Sequence, residues 1–171
     1  KNDKINLNNE NRKNEIHIVG NSIKDSVDRI KKTKLFLSNY LTKYNLNENS
    51  YIYCTIHRSE NVDNIQRLKN IIKIIKFFSK IKKIIIPIHP RTKKKFKFLK
   101  FKNDKNIIFT QPLKYSESIF LLSKCYFSFS DSGGIQEEAV ILKKKCLVPS
   151  DFTPHSYYIH KKANNLVDLN S

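Results

Sequence analysis

The feature that most constrains the fold is an alternation of short apolar runs and helical patterns between residues 51 and 148. The apolar runs are four to six residues long and rich in Ile, Tyr, Phe and Val, which is typical of strands. In the segments between them, apolar residues recur every three or four positions, which is typical of helices. Strands that alternate with helices predict a parallel sheet covered by helices on both faces. We therefore expect an α/β fold.

The apolar runs predict five strands in this region, at 51–56, 83–88, 106–110, 125–129 and 145–148, the last being the final strand. Helices are predicted at 62–78, at 116–123 with Ser116 as N-cap, and after residue 132. Residues 92–101 are predicted to form a basic helix or an irregular turn. Upstream we expect a loose polar lead-in over residues 1–15, a short strand at 16–19 and one amphipathic helix at 26–44.

Two adjacent glycines, Gly133 and Gly134, lie between a predicted strand and a helix, in a chain that has three glycines. Glycine tolerates positive φ and lets a ligand approach the backbone closely. A helix that begins there points free N–H groups and its positive dipole end outward, which suits phosphate. Ser132 adds a hydroxyl, and the Glu138 carboxylate can accept hydrogen bonds from sugar hydroxyls. An ordinary N-capped helix explains the same residues, so the residues alone leave both interpretations open.

Polar side chains follow the carboxyl end of every predicted strand in this region. Ligands bind at the carboxyl ends of the strands in open parallel sheets, so the sequence predicts a binding site at this edge. The polar stretches are His57 to Asn61, His89 to Arg91, Gln111 to Leu113, Ser132 to Gly134 and Ser150 to His155.

His57 and Arg58 have the chemistry that a diphosphate site needs. Arginine offers a fork of donors, and histidine gives or takes a proton near neutral pH. The alternative is that His57 caps the next helix while Arg58 pairs with Glu60 on the surface. One such pair by itself favours this alternative, and the shared location at strand ends favours the site.

The composition limits the class of protein. The net charge of +18 suggests polyanions, but the lysines are spread along the whole chain, so we expect only nonspecific contact with nucleic acid. Cys54, Cys125 and Cys146 lie far apart in apolar runs, which predicts buried, reduced thiols in a cytoplasmic protein and no metal site. No apolar run approaches the ~20 residues of a membrane span, and the chain has no Met, so we expect a fragment or a processed chain.

The chain resembles the UDP-N-acetylglucosamine 2-epimerase family, of the non-hydrolysing class, over residues 16–167. The similarity to the family includes the order and spacing of the motifs. The string from Asp131 is highly specific, and Val19 to Asp25 resembles the segment that joins the two domains of the family. The motifs are Cys54 to Asn61, Pro87 to Pro90, Pro112 to Tyr115 and Asp131 to Ala139.

The resemblance implies a Rossmann-like parallel sheet that forms the second half of a GT-B-type two-domain fold. It divides the chain into the lead-in of residues 1–15, an interdomain strand and helix at 16–48, and a carboxyl-terminal UDP-binding domain at 49–171 that is truncated at its end. The amino-terminal domain, which carries the family's catalytic carboxylates, is missing. The full-length protein is expected to be a cytoplasmic homodimer without a membrane segment or a cofactor.

The resemblance also implies roles for individual residues. His57 is expected at the catalytic centre and is the one catalytic residue that this half supplies. The remaining site residues are expected to bind UDP: Arg58, Leu113, Ser118, Ser132, Gly133, Gly134, Glu138 and His155. Leu113 and Ser118 replace a Gln and a Phe of some members near the uracil, while Pro154 and His155 replace a Glu and an Arg. A neutral histidine has one donor where arginine has a charged fork, so diphosphate affinity is expected to fall.

Three hypotheses follow from the sequence. The first is the UDP-binding half of an epimerase that interconverts UDP-N-acetylglucosamine and UDP-N-acetylmannosamine, with cell-surface polysaccharide biosynthesis as its setting. The second is a nucleotide-sugar-binding module of the same fold that has lost turnover. A third, weaker reading is a basic domain that binds nucleic acid.

Overall fold

Every strand of the sheet runs parallel to its neighbours in the computed structural model. The structure describes residues 7, 9–10, 16–17, 20–34, 36, 39–99, 101, 104–151, 153, 159 and 162–169, without the side chain of Arg91. Within these residues the strands are β1 (Tyr51–Thr55), β2 (Lys83–Pro87), β3 (Ile107–Thr110), β4 (Phe127–Ser130), β5 (Cys146–Val148) and β6 (Asn164–Leu166).

The strands lie in the order β3-β2-β1-β4-β5-β6. The chain steps outward from β1 to β3 and then returns to the other side of β1 for β4. The order therefore reverses between β1 and β4, which pair in parallel with Thr55 opposite Ser130. This reversal is the topological switch point where doubly wound sheets bind ligands.

Helices cover both faces of the sheet, as the alternation predicts. Alternate residues of β1 point to opposite faces: Ile52 and Cys54 join one apolar cluster, whereas Tyr51 and Tyr53 join the other. The helices are α1 (Ser22–Lys31), α2 (Tyr40–Lys43), α3 (Ser59–Val62), α4 (Ile65–Ser79), α5 (Pro90–Phe98), α6 (Tyr115–Lys124) and α7 (Gly133–Ile141). Helix α4 packs in the first cluster, and α6 and α7 pack in the second. The α/β prediction is confirmed.

Two predictions are wrong: the identity of the last strand and the first residue of α6. A sixth strand, β6, follows the strand predicted to be last, and its first residue, Asn164, is fully buried and donates to the Gln136 carbonyl. The first two residues of this strand are asparagines, so the apolar pattern of the sequence does not predict it. Ser116 does not cap α6, because the helix begins at Tyr115 with Lys114 at the N-cap, and Ser116 is buried inside its first turn.

The predicted helix at 26–44 is instead two helices, α1 and α2. The Asn21 side chain accepts from the Ile23 N–H and begins α1 earlier than predicted, and Asn39 caps α2. The predicted helix at 62–78 is likewise divided, because Asn64 caps α4 after the short α3. Of the strand predicted at 16–19, residues 16 and 17 adopt no regular structure, while residues 18 and 19 lie outside the described residues.

The three cysteines are free and buried, and burial raises the pKa of Cys125 to about 12 and that of Cys146 to about 11. On α5, Lys93, Lys94 and Lys97 are exposed, as a solvated face requires. In the described part of the chain, no helix is both long enough and apolar enough to cross a membrane.

Phe129 tests the account of the core. Its ring is fully buried in β4 and packs edge-on against Phe78, with 5.7 Å between ring centroids. We expect Phe129→Ala to lower the free energy of unfolding by about 3–5 kcal/mol, because it leaves a cavity. The matched control is Phe77→Ala, at a side chain that is 59% exposed, with an expected change of about 0.5 kcal/mol or less. Equal losses in urea denaturation of the two variants would contradict the assigned core.

Candidate functional site

The loops after β1 and β4 meet at the switch point. The last residues of the two strands face each other, with 2.6 Å between the Thr55 and Ser130 hydroxyl oxygens. His57 follows β1 and Ser132 follows β4, so the two stretches predicted to converge do converge. The loop after β2 also reaches this place, since the His57 and His89 rings lie 6.0 Å apart between centroids.

Asp131 joins the two loops, and the sequence analysis did not single it out. Its carboxylate is buried and accepts the His57 N–H at 3.0 Å and the Arg58 N–H at 3.0 Å. It also accepts the Asn61 side-chain amide at 3.1 Å. The sequence does contain a signal for this role: Asp131 directly follows an apolar strand, and a carboxylate buried there needs hydrogen-bond donors.

The glycine pair opens α7. Ser132 is the N-cap, and its hydroxyl accepts from the Ile135 N–H at a long 3.5 Å. The capped-helix interpretation therefore holds, and it is compatible with an anion at the same helix end. Positive φ is not the reason for the glycines: among the described glycines only Gly20 has it, at 86°.

Glu138 lies one turn into α7, beside Tyr115, the first residue of α6. Its carboxyl is buried, and burial raises its pKa to about 7, while a hydrogen bond from Tyr115 acts in the opposite direction. Ser118 lies 2.8 Å from the Tyr53 hydroxyl, oxygen to oxygen. Leu113 packs against the second apolar cluster. These residues therefore lie on the face of the sheet that α6 and α7 cover.

Arg58 follows the surface alternative in part. Its Nη1 lies 3.3 Å from Glu60 Oε1, and its side chain is 29% exposed. His57 does not cap the next helix, because Arg58 occupies the N-cap of α3 and makes no side-chain cap bond. Arg58 therefore lies at the carboxyl edge of the sheet, as predicted, and its guanidinium pairs with the Glu60 carboxylate.

A polar network continues from Asp131 to the loop after β5. Asn61 donates to the Pro149 carbonyl at 3.0 Å and accepts from Arg67 Nε at 3.2 Å. Arg67 Nη1 donates to Asp151 at 2.7 Å. The remaining predicted residue of this loop, His155, lies outside the described residues, as does Pro154.

An open depression of about 490 Å³ lies beside this network, and its lining includes Asn64, Arg67, Ser150 and Asp151. One turn into α7, the Asn21 side chain donates to Glu137 at 2.7 Å and ties the start of α1 to α7. Among the described residues, no group of three His, Cys, Asp or Glu side chains is arranged to hold a metal ion.

Comparison with known proteins decides the family. The family model for UDP-N-acetylglucosamine 2-epimerase matches residues 1–171. The chain belongs to the UDP-N-acetylglucosamine 2-epimerase family. A curated relative, UDP-N-acetylglucosamine 2-epimerase of Methanocaldococcus jannaschii, is 38% identical over 167 residues, which cover 92% of this chain and 45% of the relative.

Solved structures of epimerases agree with this assignment. The M. jannaschii UDP-GlcNAc 2-epimerase in complex with UDP-GlcNAc and UDP has a TM-score of 0.83 and 36% identity, over 97% of this chain and 48% of that one. The Neisseria meningitidis UDP-GlcNAc 2-epimerase bound to UDP-GlcNAc has a TM-score of 0.75 and 28% identity, over 96% and 46%. The chain thus spans about half the length of these epimerases, as expected for the carboxyl-terminal half of a GT-B-type fold.

Glu138 allows a test of the site's electrostatics. Its pKa in the folded chain, about 7, exceeds the ordinary value of 4.5, so the folded state favours the protonated carboxyl. Its contribution to stability is full below pH 4.5 and is lost as the pH rises to about 7. We expect Glu138→Gln to be more stable than the wild type by ~3 kcal/mol at pH 8 and equally stable at pH 4.

The measurement is urea denaturation across this pH range. Glu48→Gln is the matched control, because the Glu48 side chain is half exposed and pairs with Lys124. A Glu138→Gln difference that does not change with pH would contradict the burial argument.

Proposed function

We propose that this chain is the UDP-binding half of an epimerase that interconverts UDP-N-acetylglucosamine and UDP-N-acetylmannosamine by eliminating UDP and adding it back. The observation that carries the proposal is the position of the α7 amino terminus directly beside His57, at the reversal between β1 and β4. Helix amino termini bind anions through N–H groups and the helix dipole. The diphosphate would then lie between the N–H groups of Gly133 and Gly134 and the imidazole.

The glycines themselves support a ligand at this place. Gly134 has no positive φ, and a Cβ built there would lie 3.9 Å from the Ser132 hydroxyl oxygen, which is an ordinary van der Waals contact. The fold therefore has room for a side chain at this position. A glycine that the backbone does not need fits a position where a ligand must approach the main chain closely.

The resemblance to the epimerase family suggests the other roles. Ser132 adds a hydroxyl donor to the phosphates, and Glu138 accepts from the ribose hydroxyls. Leu113 and Ser118 lie toward the uracil, while Arg58 and His155 contribute positive charge or a donor near the diphosphate. His57 is the catalytic residue of this half: its imidazole gives a proton to, or takes one from, the diphosphate oxygen as the bond to the sugar breaks and forms.

The rest of the reaction requires the other half of the protein. The base that takes the C2 proton would come from the amino-terminal domain, across the cleft from residues 49–171, with residues 16–48 joining the two domains. We propose a homodimer in the cytoplasm, where buried free cysteines stay reduced, with no cofactor and only nonspecific attraction to nucleic acid. Polysaccharide biosynthesis is the proposed setting.

A second candidate is a nucleotide-sugar-binding module that has lost turnover. The substitutions at Pro154 and His155 favour it, because they remove a carboxylate and a guanidinium from the loop after β5. Both candidates bind UDP, and turnover by the two-domain protein separates them.

Gly134→Ala tests the phosphate loop. We expect the variant to fold with an unchanged melting temperature, because its Cβ has room, and to bind UDP at least tenfold more weakly in calorimetry, about 1.4 kcal/mol. Gly133→Asp should abolish binding, since it places a carboxylate beside the phosphate. Wild-type affinity in either folded variant would disprove the loop assignment.

His57→Ala tests the catalytic role. This chain would be joined to the amino-terminal half of the M. jannaschii relative to restore a cleft, and the parent chimera must turn over. We expect kcat to fall by two orders of magnitude or more, as on loss of a general acid or base, while UDP affinity changes less than threefold. Glu48→Gln, at a half-exposed side chain that pairs with Lys124 before the start of β1, is the control and should change neither value. A small, equal loss of rate and affinity would make His57 a structural residue.

A further inference from the structure

The Asp131 carboxylate has a neighbour beyond its hydrogen-bond donors. Its Oδ1 atom lies 3.4 Å from the Nδ1 atom of His57, and the Asp131 side chain is fully buried while the His57 side chain is 42% exposed. The His57 backbone N–H donates to the same carboxylate. One buried group therefore fixes the backbone of His57 and also lies next to one particular nitrogen of its ring.

This contact has a chemical consequence for the imidazole. A neutral imidazole carries its proton on one nitrogen and a lone pair on the other. An ionised carboxylate only accepts, so a lone pair on Nδ1 facing it is repelled, whereas an N–H there is attracted. The separation of 3.4 Å is longer than a good hydrogen bond, and such contacts tighten when a ligand closes the site.

The surroundings of the carboxylate hold it in place. Besides the His57 and Arg58 N–H groups, it accepts the Asn61 amide. Asn61 is fixed in turn by the Pro149 carbonyl and by Arg67, which also binds Asp151. Three elements, α3, α4 and the loop after β5, thus support one carboxylate at the end of β4.

We propose that Asp131 is a positioning residue that holds the proton of His57 on Nδ1 and so leaves Nε2 as the nitrogen that exchanges a proton with the ligand. The consequence for catalysis rests on the proposed function, but the position of the proton does not. Ser132 and the glycine pair begin directly after Asp131, so the same residue sets the spacing between the imidazole and the phosphate loop.

Nitrogen-15 NMR of the 171-residue chain tests the inference. A long-range proton–nitrogen correlation spectrum, recorded at about pH 8.5 where imidazoles are neutral, shows which ring nitrogen carries the proton. The His57 signal is assigned by its loss in His57→Gln. We expect the Nδ1–H form in the wild type.

Asp131→Asn is the deciding variant, because its oxygen can still accept the two backbone N–H groups while its amide can donate to Nδ1. We expect loss of the Nδ1–H pattern and appearance of the Nε2–H form, with the rest of the amide spectrum retained. The matched control, Asp151→Asn, removes a carboxylate at the far end of the network and should leave the Nδ1–H pattern unchanged.

The outcomes separate this inference from the proposed function. A wild-type His57 that carries its proton on Nε2 overturns the inference even if Asp131→Asn does not fold, and so does a folded Asp131→Asn that keeps the Nδ1–H pattern. UDP is then added to the same wild-type sample. If UDP does not bind but the Nδ1–H form is present, the proposed function fails and the positioning role of Asp131 stands.

Discussion

The site depends on one buried carboxylate that joins two loops. Asp131 directly follows β4 and accepts the backbone N–H groups of His57 and Arg58, which follow β1. Together with the Asn61 amide bond to the same carboxylate and the pairing of β1 with β4, these bonds join the loop that carries the imidazole to the helix that begins with the glycine pair. A buried carboxylate that lost its donors would cost several kcal/mol, so the donors and the acceptor hold one another in place.

The sheet supplies the geometry that this carboxylate completes. Because the strand order reverses between β1 and β4, their carboxyl ends open toward the same crevice. Helix α7 begins there, with its N–H groups and positive dipole end at the edge. The two apolar clusters fix α4 on one face and α6 and α7 on the other, so packed helices support the crevice from both faces.

The sequence predicts this arrangement where a signal is local. Alternating runs predict the parallel sheet, and the junction at Ser132 predicts a helix start at a strand end. Signals that depend on tertiary contacts are missed. Strand β6 begins with a buried asparagine whose side-chain amide donates to the Gln136 carbonyl, and the sequence has no apolar periodicity there that would predict a strand. The division of 26–44 into α1 and α2 depends on asparagine caps within a continuous apolar pattern.

Asp131 shows the same limit within the site. The sequence shows that Asp131 belongs to a motif that resembles the family. Its role as an acceptor depends on hydrogen-bond donors that lie 70 to 74 positions away in the chain. The sequence correctly predicts that Glu138 lies one turn into α7. Its pKa rises to about 7 because the folded chain buries the carboxyl, and the sequence does not show that burial. Residue types at strand ends thus indicate where a site lies, and tertiary contacts decide what each residue can do there.

The most direct test is a crystal structure of this chain with UDP. The account predicts the diphosphate within hydrogen-bond distance of the Gly133 and Gly134 N–H groups, with the His57 imidazole beside it. A diphosphate bound instead in the depression lined by Asn64 and Arg67, away from the α7 amino terminus, would contradict it.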